Sequence, residues 1–180
     1  MADTQPQQRY EIGMVGLGVM GRNLLLNMAD HGFSVAGYDK DPIKVEALRK
    51  ESADRDICGA ENINDFIGLL RPPCAVMMLV PAGAPVDSVI NDLLAHVQPG
   101  DCIIDAGNSH FKDTNLHARN LTEKGIQFMG VGVSGGEEGA RHGPSIMPGG
   151  PKEAYERVRP VFEAAAAKVS GDRETAPHHR

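Results

Sequence analysis

Six residues near the amino terminus, Gly16-Leu17-Gly18-Val19-Met20-Gly21, constrain this chain more than any other segment. They read G-x-G-x-x-G. A short apolar run, Ile12–Val15, precedes them, and Val19 to Asp30 follows with apolar Val19, Met20, Leu24, Leu25, Leu26 and Met28. That is strand, tight turn, helix, with Gly32 as the helix stop. The first glycine permits the turn, the second lets backbone approach a pyrophosphate, and the third lets helix and strand pack closely. The helix start offers free N–H groups and a partial positive charge to phosphates. The spacing alone is a weak signal. Here it has the required context, including an acidic residue, Asp39, at the end of the next apolar run. The competing reading is a glycine turn that only packs.

Asp39 lies 23 positions after Gly16. A carboxylate there can accept hydrogen bonds from the adenosine ribose hydroxyls, which favours NAD, and it repels the 2′-phosphate of NADP. Lys40 partly offsets that repulsion, so NADP stays possible. Asp39 as an ordinary turn residue is the alternative. Asp41-Pro42 reads as a helix cap followed by Pro at the first helical position.

Strand and helix signals alternate from Glu11 onward, which predicts a parallel sheet with helices on both faces. Strands are expected at Ile12–Val15, Ser34–Tyr38, Cys74–Val80, Cys102–Asp105 and Ile126–Val131, with an edge strand possible within 53–64. Helices are expected after Gly18, after Asp41 to about Glu51, over 64–70, from Ala84 to about Val97, and from Asp113 to Lys124. Gly130–Gly150 reads as a glycine-rich stretch. Pro151 opens a final helix that Pro160 is expected to kink or split. Residues 1–10 are expected to be disordered or extended, 11–169 to form one dinucleotide-binding domain, and 170–180 to be a frayed polar tail.

Composition narrows the function classes. With 18 basic against 24 acidic residues the net charge is −6, so neither nucleic acid nor an anionic membrane attracts the chain. Aromatics are 4% and Trp is absent, which argues against base stacking. The least charged stretch, Pro72 to Val86, is too broken by proline to span a bilayer, and Met1–Tyr10 has no apolar signal-peptide core. Cys58, Cys74 and Cys102 are 16 and 28 residues apart, neither a disulfide framework nor a zinc spacing. They are expected to be reduced core residues of a cytoplasmic protein. His110 and His117 are expected to be solvated rather than metal ligands, and no metal site is expected. Met77-Met78 is expected to fill the core.

Two segments are unusually polar for the ends of buried strands. One is Asp105-Ala106-Gly107-Asn108-Ser109. The other runs from Gly132 through Ser134-Gly135-Gly136-Glu137-Glu138 to Gly150. Ligands in open α/β sheets bind beyond the carboxyl ends of the strands. These residues therefore point to a small polar ligand, or to a glycine-rich surface loop.

The motifs GLGVMGRNLLLN (Gly16–Asn27), DAGNSHFKDT (Asp105–Thr114) and GVSGGEEGARHGPSIMPGG (Gly132–Gly150) carry a family resemblance. The chain resembles the N-terminal part of the decarboxylating 6-phosphogluconate dehydrogenases, within the β-hydroxyacid dehydrogenase family, over roughly Tyr10 to Val169. The resemblance implies a Rossmann-type, doubly wound, mainly parallel sheet. It implies that Gly16, Gly18, Val19, Met20 and Gly21 cradle the coenzyme phosphates, with Asp39 and Lys40 at the adenosine ribose. Val80, Pro81 and Ala82 would run beside the riboses, and Asn108 would lie near the nicotinamide. Asn108, Ser134, Gly135 and Gly136 would contact 6-phosphogluconate. Glu137 and Glu138 would be loop structure rather than catalysts. In the family the sugar acid is oxidised at C3, loses CO2 and yields ribulose 5-phosphate.

Two departures carry weight. NADP-specific members have Asn-Arg-Thr/Ser where this chain has Asp39-Lys40-Asp41, and usually Lys where it has Pro81, so NAD is expected to be preferred. The family's acid/base lysine and its neighbouring glutamate, and the helical dimerisation domain, map beyond Arg180. No catalytic residue is therefore expected within these 180 residues, and the polypeptide alone is expected to be inactive, and monomeric or weakly self-associating. The competing readings are a dinucleotide-binding module without turnover and another β-hydroxyacid dehydrogenase.

Overall fold

The computed structural model describes residues 9–168. Seven strands and seven helices alternate: β1 (Ile12–Val15), α1 (Val19–Asp30), β2 (Val35–Tyr38), α2 (Pro42–Ser52), β3 (Ile57–Ala60), α3 (Ile63–Leu69), β4 (Ala75–Met78), α4 (Ala84–Leu94), β5 (Cys102–Asp105), α5 (Phe111–Thr122), β6 (Gln127–Ser134), α6 (Gly136–His142), β7 (Ser145–Gly149) and α7 (Lys152–Ala165). The sheet order is β3-β2-β1-β4-β5-β6-β7. All neighbours are parallel except β7, which runs antiparallel to β6. This is the expected doubly wound sheet. Its strand order reverses between β1 and β4, which opens a crevice at their carboxyl ends.

Buried apolar side chains fill both faces. Leu24, Leu25 and Met28 of α1, Val45 and Leu48 of α2, and Val158, Val161 and Phe162 of α7 pack on one face with Met14, Met77 and Ile104. Phe66 of α3, Val86, Val89 and Leu93 of α4, and Leu121 of α5 pack on the other with Val76, Met78 and Ile103. Met77 and Met78 are fully buried, on opposite faces, as core filling requires. The Asp41 carboxylate accepts from the Ile43 N–H at 3.0 Å, capping α2 with Pro42 at its first turn.

The structure corrects several expectations. Gly130–Gly150 is not a loop: β6 continues to Ser134, α6 follows, and β7 pairs with β6 from Gly130↔Gly149 to Ser134↔Ser145. Pro148 is tolerated because β7 is an edge strand, where a missing N–H is not needed. Glu137 and Glu138 accordingly lie in the first turn of α6. Pro160 does not split α7. It faces solvent while Val158, Val161 and Phe162 anchor the helix on both sides of it. Helix α4 ends at Leu94, short of Val97. Cys74 and Cys102 are buried, but Cys58 on edge strand β3 is only partly so. His117 is not on a solvated face. Its Nε2 lies 2.7 Å from Asp87 Oδ1, and its ring meets Phe128 edge-on. His110 caps α5 by accepting from the Lys112 N–H.

Tyr10 is buried and makes an isolated parallel bridge to Leu70, which ties the chain just before β1 to the end of α3. Residues 1–8 and 169–180, including the expected tail, lie outside the described residues.

Candidate coenzyme and substrate site

The glycine turn closes the crevice at the end of β1. Gly16 adopts φ +97°, and a side chain there would also strike the Leu79 carbonyl, so both backbone and packing exclude one. A Cβ on Gly21 would lie 1.9 Å from the Gly16 carbonyl oxygen, the close helix–strand approach the third glycine serves. Gly18 differs. Its φ is −64° and its ψ −176°, an extended conformation open to any residue, and a Cβ there would meet no atom within 4 Å. Nothing in the protein requires glycine at 18. The space in front of it lies at the start of α1, where no side chain caps the free N–H groups of the first turn. Val19 is exposed and Met20 half-buried on that turn. An anion approaching the backbone fits this cradle.

Asp39 is tied to the same turn. Its Oδ2 accepts from the Leu17 N–H at 2.8 Å and its Oδ1 from the Asp41 N–H at 2.9 Å. A carboxylate has about four acceptor positions, so two remain for hydroxyl donors. Beside it is a cavity of about 370 Å³ lined by Gly16, Tyr38, Asp39, Lys40, Lys44, Val80, Pro81, Ser88 and Asp92, among others. Lys40 reaches across it to Ser88 Oγ at 3.3 Å and Asp92 at 3.4 Å. The lysine expected to offset Asp39 is therefore already paired with α4. Lys44, which the sequence reading passed over, lies 3.9 Å from Asp39. Its place three residues after the Asp41 cap was the available signal, since that position turns back over the helix start. Ala82 is exposed and does not line the cavity.

The second polar cluster sits at the ends of β5 and β6. Asp105 pairs in register with Gly130. Asn108 lies three residues beyond that rung on one chain segment, and Ser134 four residues beyond it on the other. Asn108 takes φ +56°, in the left-handed region where Asn is among the tolerated residues. The Asp105 Oδ1 accepts from the Gly107 N–H at 2.9 Å and holds this turn. Asn108 lines a cleft of about 430 Å³ between α5 and β6. Ser134, Gly135 and Gly136 are exposed at the end of β6, outside that cleft. Gly135 and Gly136 have φ of +133° and +63°, so the β6–α6 turn depends on glycine. Among the described residues no group of His, Cys, Asp and Glu could hold a metal ion, and no helix is long and apolar enough to cross a membrane.

A doubly wound, mainly parallel sheet with a glycine turn between β1 and α1 at its switch point, and a carboxylate at the end of β2 tied to that turn, is the fold of a dinucleotide-binding domain of the dehydrogenase type. The comparisons narrow that class. The model for the NAD binding domain of 6-phosphogluconate dehydrogenase matches residues 11–172, and the chain belongs to that family. It is 54% identical over 161 residues to the decarboxylating 6-phosphogluconate dehydrogenase of Chlamydia pneumoniae, covering 89% of this chain and 34% of that protein. It is 50% identical over 163 residues to decarboxylating 6-phosphogluconate dehydrogenase 2 of Saccharomyces cerevisiae, covering 90% and 33%. The chain thus spans about a third of the length of the curated relatives it matches. Among solved structures, 6-phosphogluconate dehydrogenase of Plasmodium falciparum superposes with a TM-score of 0.85 at 37% identity, covering 88% of this chain and 34% of that one. A 3-hydroxyisobutyrate dehydrogenase of Salmonella typhimurium superposes with a TM-score of 0.75 at 27% identity, covering 88% and 54%.

Proposed function

We propose that this chain is the coenzyme-binding part of a decarboxylating 6-phosphogluconate dehydrogenase that prefers NAD to NADP. The observation that carries the coenzyme role is Gly18, whose missing side chain leaves room that no protein atom uses. In this reading Gly16, Gly18, Val19, Met20 and Gly21 hold the pyrophosphate through backbone N–H groups. Asp39 accepts from the adenosine ribose hydroxyls, Lys40 borders the same cavity, and Val80, Pro81 and Ala82 pass along the riboses. A nicotinamide coenzyme held there would supply the acceptor for the hydride at C3 of the sugar acid, while the proton of the C3 hydroxyl would go to a base. Asn108 orients that carbon and the ring, while Ser134 and the N–H groups of Gly135 and Gly136 hold the polar substrate. The β-keto acid so formed would lose CO2, and protonation of the resulting enol at carbon would give ribulose 5-phosphate. The three free cysteines support a cytoplasmic setting.

Asp39 supports the NAD preference: its carboxylate is fixed by two backbone donors beside the position a 2′-phosphate takes, and Lys40 is drawn off by Asp92. Titration of both coenzymes into the 180-residue polypeptide tests this. NAD is expected to bind more tightly, and Asp39→Asn to shift the ratio toward NADP by about tenfold, the effect of removing roughly one charge-assisted interaction. Tighter NADP binding by the unaltered chain at moderate salt overturns the preference.

A further inference from the structure

Four charged side chains line the cavity at the end of β2, and both cations among them are already matched. Lys44 lies 3.9 Å from Asp39, and Lys40 lies 3.4 Å from Asp92 of α4. The 2′-phosphate that distinguishes NADP from NAD is a dianion or nearly so, and it would meet no free ammonium here. The two pairs differ in what holds the acid. Asp39 is fixed by the N–H groups of Leu17 and Asp41, so its charge belongs to the glycine turn. Asp92 is exposed and, among the described residues, pairs with Lys40 alone.

Helix α4 sets the second contact. Pro85, Ser88, Val89 and Asp92 are spaced i, i+3, i+4 and i+7, and this one helix face lines the cavity. The Lys40 ammonium donates to Ser88 Oγ at 3.3 Å while it pairs with Asp92 one turn further along. Lys40 immediately precedes the Asp41 cap of α2, so these contacts draw its long side chain from the β2 wall of the cavity to the α4 wall. Both partners are well exposed, Lys40 at 64% and Asp92 at 46%. Such a pair is weak, so it biases where the ammonium rests without fixing it.

We propose that Asp92 is a specificity-determining residue for the coenzyme: acting through Lys40, it holds the ammonium on α4 and withholds it from the 2′-phosphate of NADP. This rests on the reading of the cavity as the adenosine-ribose site. The test is calorimetric titration of the 180-residue polypeptide with NAD and with NADP at one moderate salt concentration. Asp92→Asn removes the charge and keeps the shape of an exposed side chain. It is expected to raise NADP affinity relative to NAD about fivefold, the scale of releasing one exposed ion pair, while NAD affinity moves less than about twofold. Asp92→Glu is expected to keep the wild-type ratio. In a Lys40→Met background there is no cation to release, so Asp92→Asn is expected to move the ratio by less than about twofold. A full shift kept in that background would come from the Asp92 charge itself and overturns the positioning role. Asp39→Asn separates the inference from the reading beneath it. A ratio moved by Asp39→Asn but not by Asp92→Asn overturns the inference alone. A ratio moved by neither overturns the ribose-site reading, and the inference with it.

Discussion

Replacing Gly18 with valine should separate coenzyme binding from folding. Gly18 is the N-cap of α1 in an extended conformation, and a Cβ there meets nothing within 4 Å. Losing a Gly cap for an apolar one costs about 0.5–1 kcal/mol. Restricting the unfolded chain at a compatible φ returns about 0.4–1 kcal/mol. The two nearly cancel, so the melting temperature of a chain this size should stay within about 4 °C. Binding should not survive. The valine side chain would fill the space the pyrophosphate needs and break at least two N–H bonds to a charged group, each worth about 1.5–3 kcal/mol. At about 1.4 kcal/mol per decade this is roughly a hundredfold to ten-thousandfold in Kd. Gly21→Ala is the contrast, because its Cβ would lie 1.9 Å from the Gly16 carbonyl oxygen and the fold itself must give way. Thermal melts and calorimetric titration with NAD read both quantities. A Gly18→Val protein that binds NAD like the unaltered chain would refute the cradle, as would one that melts far lower without ligand.

Four further outcomes are expected. Burial alone would raise the Asp30 carboxyl, but hydrogen bonds from Arg55 and Arg141 outweigh it and hold the group below the usual carboxylate range. Its stabilisation is then complete above the unfolded value of about 3.9 and lost as pH falls through the folded one. Asp30→Asn should therefore lower the melting temperature at pH 7 with a shrinking difference in acid, and an equal difference at both ends would contradict this. Burial pushes the Cys74 and Cys102 thiols up to about 11, so an aromatic disulfide reagent at pH 8 should modify Cys58 alone in the native protein and three thiols after denaturation. Finally, the 180-residue polypeptide should bind NAD without reducing it in the presence of 6-phosphogluconate, because hydride loss from an alcohol needs a placed base. Exposed Phe111, Leu116 and Met147 should make it weakly self-associating by light scattering. Robust turnover would direct attention to Asp105, Lys112, Glu137 and Glu138.

What the chain declares locally, the sequence by itself determined. Gly16 to Gly21 between an apolar run and a periodic one specify strand, turn and helix, because glycine geometry acts within a few residues. Asp41-Pro42 caps α2 through the backbone two positions on, and continuous apolar runs mark β4 and β5 as strands covered on both faces. The rest depended on partners distant in the chain. Ser145–Gly149 carries Pro148 and has weak strand character of its own; it becomes β7 because the far edge of β6 offers hydrogen bonds to satisfy. Pro160 sits inside a helix because α7 is anchored by its apolar face rather than by propensity. His117 meets Asp87, and Lys40 meets Asp92, only because α4 lies beside both.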